Sequence, residues 1–134
     1  VLLDLNDLEG AKTLLTEALK SNRQNFEPGH PNIAKTQSNL ALVLQGLGDL
    51  EGAKTLLAEA LESDQKSFEP GHTSITNTQS NLALVLLDLG EFEDAKSLLV
   101  QSYEAFKNLL GDDHPNTLAA NRNLQIVINK IQKQ

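Results

Sequence analysis

The chain repeats itself every 42 residues. The run EGAKTLL at Glu9 to Leu15 returns 42 positions later at Glu51 to Leu57, and again, loosened to EDAKSLL, at Glu93 to Leu99. FEPGH at Phe26 to His30 returns at Phe68 to His72, and SNLALVL at Ser38 to Leu44 returns at Ser80 to Leu86, with the same offset. The divergent C-terminal stretch keeps phase, with His114 and the pair Asn123-Leu124 in register. Three unrelated segments sharing one period rule out coincidence. A period of 20 to 50 residues is the mark of a solenoid, in which each unit buries its apolar face only against its neighbours.

Each unit reads as two helices and no strand. The first, near Pro31 to Gly46, carries Ile33, Leu40, Val43, Leu44 and Leu47 at helical spacing, with Ala34 and Ala41 between them, so it should be buried on two sides. Gly48-Asp49 supplies a left-handed stop followed by an N-cap, and the same junction is expected at Gly90-Glu91 and at Asn6-Asp7. The second helix, from about Leu50 to Phe68, places Leu50, Ala53, Leu56, Leu57, Ala60 and Leu61 on one stripe, and Pro70-Gly71 closes it. Pro31 and Pro115 sit where a first helical turn tolerates proline. The expected organisation is a partial repeat over 1–30 holding a second helix, repeats at 31–72 and 73–114, and a terminal first helix or cap over 115–134. Val1 to Leu5 read as the middle of a helix, so a piece of a longer array is expected.

Composition narrows the chemistry. With 134 residues and 40% hydrophobic content the chain can bury a core. It has no cysteine, which removes disulfide frameworks and thiol or cysteine-zinc chemistry. A net charge of −7 argues against nucleic-acid and anionic-membrane surfaces, which lysine and arginine clusters hold. No apolar run approaches the roughly 18 residues of a membrane span, and no signal segment opens the chain. A soluble, cytoplasmic protein is expected.

The residues resemble the tetratricopeptide repeat (TPR) family. Its order of a Leu and a small residue in the first helix, a glycine at the turn, and small positions in the second is met by Leu40-Ala41, Leu44, Gly48, Leu50, Ala53, Leu57 and Ala60. Leu82-Ala83, Leu86, Gly90, Phe92, Ala95, Leu99 and Ser102 meet it one unit later. The 42-residue unit is eight longer than the common 34, and with Asn-Leu-Ala and a His-Pro junction it is similar to the kinesin light chain type. The resemblance implies an all-α, right-handed superhelix of antiparallel helix pairs, with the first helix of each pair (helix A) lining the concave wall. Gln37 and Gln79 stand where the common consensus has Trp. Gln125 occupies a small-residue position where it would obstruct a following helix, so Leu118 to Ile131 is expected to cap the array.

Function then rests on what helix A presents. Asn39, Asn81 and Asn123 recur once per unit beside Ser38, Ser80 and Arg122. Asparagine is a poor helix former, so three in phase need a reason. A carboxamide offers a donor and an acceptor suited to an extended peptide backbone, and in similar TPRs an Asn here clamps the ligand's main chain. The alternative is bonding within or between helices. Leu42, Leu84 and Ile126 lie one turn further along and would accept apolar side chains of a partner, or pack on the neighbouring helix A. Gln45, Leu87, Asp88, Asn129 and Lys130 would rim the wall. Lys35, Arg122 and Lys130 are its cations, and no acid follows Pro115, which favours a peptide with an acidic feature toward the C-terminal end. Ser38, Ser80, Leu42 and Leu84 replace residues of the chaperone-binding carboxylate clamp, so that activity is not expected.

His30, His72 and His114 stand once per repeat at equivalent junctions, too far apart to share a metal whose bonds are near 2 Å, and a capping or packing role is expected. Glu91, Glu93, Asp94 and Asp112-Asp113 suit helix N-termini through the dipole. Phe26, Phe68, Phe92, Tyr103 and Phe106 read as packing. Phosphate loops, zinc-protease and nucleophile-elbow motifs are missing, so neither an enzyme nor a cofactor is expected. The expected partner is a protein or peptide. Self-association through open repeat ends, as the sensor or assembly segment of a larger signalling protein, is the alternative.

Overall fold

The computed structural model describes residues 5–134, and within them the chain forms six helices and no strand. They are α1 (Leu5–Asn25), α2 (Pro31–Gly46), α3 (Leu50–Ser67), α4 (Thr73–Leu89), α5 (Phe92–Leu110) and α6 (Pro115–Gln132). The chain divides into two compact units, Val1–Phe68 and Glu69–Gln134. In the first, α2 packs against both α1 and α3; in the second, α5 packs against both α4 and α6, and α4 also touches α6.

Local chemistry sets the boundaries. Pro31 and Pro115 occupy the first turns of α2 and α6, where a missing N–H costs nothing. Immediately before each of α2, α4 and α6 stands a histidine whose Nδ1 accepts from the backbone N–H two residues on: His30 from Asn32 at 3.0 Å, His72 from Ser74 at 3.0 Å and His114 from Asn116 at 3.1 Å. The periodic histidines are therefore N-caps, with Nδ1 unprotonated so that it can accept. His30 also stacks on Phe26, ring centroids 4.4 Å apart. Asp49 caps α3 by accepting from Gly52 N–H at 3.0 Å, whereas Glu91, in the same place before α5, makes no such bond with its longer side chain. Gly48 turns the chain between α2 and α3 at φ +86°, a conformation that costs L side chains roughly 1 kcal/mol or more.

The junction expected at Asn6-Asp7 does not form. Both residues lie inside α1, and among the described residues only glycines have positive φ. Without a glycine, the right-handed helical conformation is the cheaper one, and the helix runs through. The proposed trailing helix over Val1 to Leu5 falls, except for Leu5, outside the described residues.

Small residues line the contacts. Ala41, Ala53 and Ala60 in the first unit, and Ala83, Ala95 and Ser102 in the second, have no exposed surface, so backbones approach closely there. Leu57 and Leu99, at 0% and 1% exposure, fill equivalent places one period apart. Burying each contributes about 1.5–3 kcal/mol. A hydrogen bond ties each A helix to its partner: Gln37 Nε2 donates to Glu59 Oε2 at 2.9 Å, and 42 residues later Gln79 Nε2 donates to Gln101 Oε1 at 2.8 Å.

Candidate functional site

At 100° per residue, positions i, i+4 and i+7 share one side of a helix. On α2, Lys35, Asn39 and Leu42 form such a stripe, flanked by Ser38 and Gln45. Lys35, Asn39 and Leu42 are exposed, Leu42 at 47%, and Ser38 and Gln45 are half-buried. Opposite them Ile33, Gln37, Leu40 and Leu44 are buried. The stripe thus emerges where core packing leaves α2 open.

The second unit repeats the stripe on two touching helices. On α4, Ser80, Asn81 and Leu84 are half-buried; on α6, Asn123 is half-buried while Arg122, Ile126 and Lys130 are exposed, Ile126 at 48%. The structure therefore brings Asn81 and Leu84 into the same unit as Asn123 and Ile126, and places Asn39 and Leu42 in the other. The carboxamides of Asn39, Asn81 and Asn123 make no hydrogen bond to another described residue, and none is sealed from solvent. Ser80 differs, since its Oγ is buried without a partner.

Identical letters have unequal surroundings. SNLALVL occurs in both α2 and α4, yet Val85 is fully buried and Leu84 half-buried while Val43 is half-buried and Leu42 exposed. On α6, Leu118 stands two periods after Ala34 and one after Thr76, both buried, and is itself 44% exposed; Gln125, at the place of fully buried Ala41 and Ala83, is exposed too. Of the aromatic residues, Phe106 is buried and Phe26, Phe68, Phe92 and Tyr103 are half-buried.

A repeating helix pair with buried alanines, a glycine turn and a 42-residue period decides the family. A tetratricopeptide repeat model matches residues 1–72 and 74–126. The chain belongs to the tetratricopeptide repeat family. Its fold is similar to the crystal structure of the kinesin light chain nearly identical TPR-like repeats of Podosopora anserina, with a TM-score of 0.90 at 24% identity over 95% of this chain and 60% of that one. A single-substitution variant of the same protein gives a TM-score of 0.87 at 23% identity, covering 96% of this chain and 62% of that one. BtubC (BKLC) from P. vanneervenii gives 0.80 at 22% identity, covering 92% of this chain and 48% of that one. No match to a curated protein was found. At these identities the likeness establishes the fold alone, an all-α array of TPR helix pairs, and the chain spans about 60% of the first neighbour's length. Among the described residues, no helix is long and apolar enough to cross a membrane, and no group of three His, Asp or Glu side chains could hold a metal ion.

A second feature of the first unit is not apparent from the repeat pattern. A cavity of about 270 Å³ lies in the first unit against the N-terminal half of α2, and the buried Gln37 and Ser63 line it together with Glu59 and Glu62. Its signal was present in Gln37 and Gln79, which stand where the common consensus has Trp.

Proposed function

We propose that this TPR module is a non-catalytic, cytoplasmic interaction scaffold that binds an extended segment of a partner protein along its helix-A face. The observation that carries this reading is the set of three in-phase asparagines whose carboxamides no other described residue engages. An asparagine in a helix interior costs roughly half a kcal/mol relative to alanine, and bonding between helices does not account for these three. A carboxamide can donate to a peptide carbonyl and accept from a peptide N–H at once, which gives affinity without reading side chains. Leu42, Leu84 and Ile126 beside them offer apolar contact for alternate side chains, the usual division between backbone affinity and pocket selectivity. Arg122 and Lys130, both exposed on α6 where no acid is present, favour an acidic residue at that end.

The test uses Asn81 and Asn123, which belong to one compact unit. An array of random twelve-residue peptides is screened with the wild-type chain and with a variant carrying Asn81→Ala and Asn123→Ala. Bound peptides should weaken about tenfold or more in the variant, the loss of two backbone hydrogen bonds at roughly 1 kcal/mol each, with helicity retained and the melting temperature not lowered, since alanine is the better helix former. Equal affinity for both chains would remove the helix-A face as the binding surface.

A further inference from the structure

The cavity beside α2 lies on the other side of that helix from the proposed peptide face. Gln37, on its wall, is about 160° around the helix from Asn39 at 100° per residue. Three elements form the cavity: the C-terminal end of α3 gives Glu59, Glu62, Ser63 and Lys66, α2 gives Ile33 and Gln37, and the Pro28-Gly29 loop closes it. An adjoining lobe reaches Arg23 on α1.

Two of its polar side chains are more than nine-tenths buried, Gln37 at 5% exposure and Ser63 at 8%. Gln37 commits its amide N–H to Glu59 Oε2 at 2.9 Å. Because a carboxylate can only accept, this fixes the carboxamide and leaves Oε1 as the atom without a protein partner. Ser63 Oγ likewise makes no hydrogen bond to another described residue; it stands beside Gly29, where a Cβ would be 3.6 Å from it. Neither atom is sealed from solvent, so a ligand entering the cavity meets two hydrogen-bonding positions on one wall that no described residue occupies.

The unspent capacity is mostly that of acceptors. Glu59 holds Arg23 only loosely, at 3.7 Å, and both side chains are about half exposed. Glu62 has Lys66 at 3.1 Å, an exposed pair that solvent screens. Arg23 and Lys66 thus each have a carboxylate partner, while the wall offers Gln37 Oε1, Ser63 Oγ and, at its half-exposed edge, the remaining lone pairs of Glu59. The net charge of −7 over the whole chain favours the approach of a cation. We propose that this cavity is a binding site for an alkylguanidinium, whose planar fork of N–H donors engages Glu59 and Gln37 while its alkyl stem lies on Ile33 and Pro28. The second unit makes the same Gln79-to-Gln101 bond with a neutral acceptor in place of Glu59, so the charge at Glu59 is not needed for the fold.

The test is a titration of the full chain followed by NMR, with n-butylguanidinium as the free cation, acetyl-Gly-Arg-Gly-amide as the peptide-borne one and butyrate as an anion. Saturable shifts at the Gln37 side-chain amide are expected with the guanidinium probes and not with butyrate. Glu59→Gln, an exchange the second unit already carries, should weaken binding about tenfold or more at an unchanged melting temperature. Arg23→Gln removes the internal competitor for Glu59 and should tighten binding. Tighter binding of the peptide would assign the ligand to a partner's arginine, and tighter binding of the free cation to a small molecule. Absence of saturable shifts, retention of affinity in Glu59→Gln, or preference for butyrate would overturn the proposal.

Discussion

The histidine caps permit a prediction that separates two contributions at one residue type. His30 and His114 both accept from the N–H two residues ahead, at 3.0 and 3.1 Å, but only His30 carries a stacked phenylalanine, because Leu110 stands where Phe26 would be two periods later. Loss of a side-chain N-cap costs about 1 kcal/mol, and asparagine restores it. An aromatic pair adds about 0.5–1.5 kcal/mol. His114→Ala should therefore destabilise by about 1 kcal/mol and His114→Asn by almost nothing. His30→Ala should cost about 2 kcal/mol, and His30→Asn about 1 kcal/mol, since the cap returns and the stack does not. At about 2.1 cal/mol/K of unfolding entropy per residue, 134 residues melting together shift by about 3–4 °C per kcal/mol. The shift doubles to about 7 °C if the unit Glu69–Gln134 melts by itself. Thermal melts by circular dichroism, with urea titration for the free energies, give all four values. Equal destabilisation by His114→Ala and His114→Asn would refute the capping role, and full recovery in His30→Asn would refute the stacking term.

Other positions yield further expectations. Thr117 is 1% exposed with an unpartnered Oγ1, at the place Ile75 and Ile33 fill one and two periods earlier. Thr117→Val keeps the shape and removes the unmet hydroxyl, so it should stabilise by about 1 kcal/mol in urea unfolding; a loss would show that the hydroxyl has a partner. Leu57→Ala and Leu99→Ala, at the centres of the two units, should each cost about 2–5 kcal/mol, and a cost below 1 kcal/mol in either would mean its site collapses around the gap. Gly48→Ala meets no neighbouring atom, so its cost should be the backbone term alone, about 1–2 kcal/mol, again read by urea unfolding.

Helix boundaries were legible because proline, glycine and histidine mark them locally. Expected Pro31 to Gly46 and observed Pro31–Gly46 coincide, and the last helix ends at Gln132, one residue beyond the expected Ile131. Two junctions depart from the pattern: Asn6-Asp7 does not do what glycine does at Gly48, and Glu91, an acid of the right charge, makes no cap bond. The unequal exposure of Leu42 and Leu84 could not be read from identical heptapeptides, because exposure belongs to the neighbours of a segment. The cavity was hidden for a related reason: Arg23, Gln37 and Glu59 are far apart in sequence, and only folding places them on one wall.

The paired bonds Gln37 to Glu59 and Gln79 to Gln101 bear on how such an array diversifies. After duplication, two copies of a repeat start with the same packing and the same electrostatics, and most changes to a buried position disturb both. A glutamine donor asks of its partner only an oxygen at hydrogen-bonding distance, and Glu and Gln supply one at 2.9 and 2.8 Å. One copy can therefore gain or lose a full charge at this position while the helix pair keeps its register. Recognition properties of sister repeats can drift apart there with little penalty to folding, and a surface of near-identical modules becomes a series of individually addressable ones.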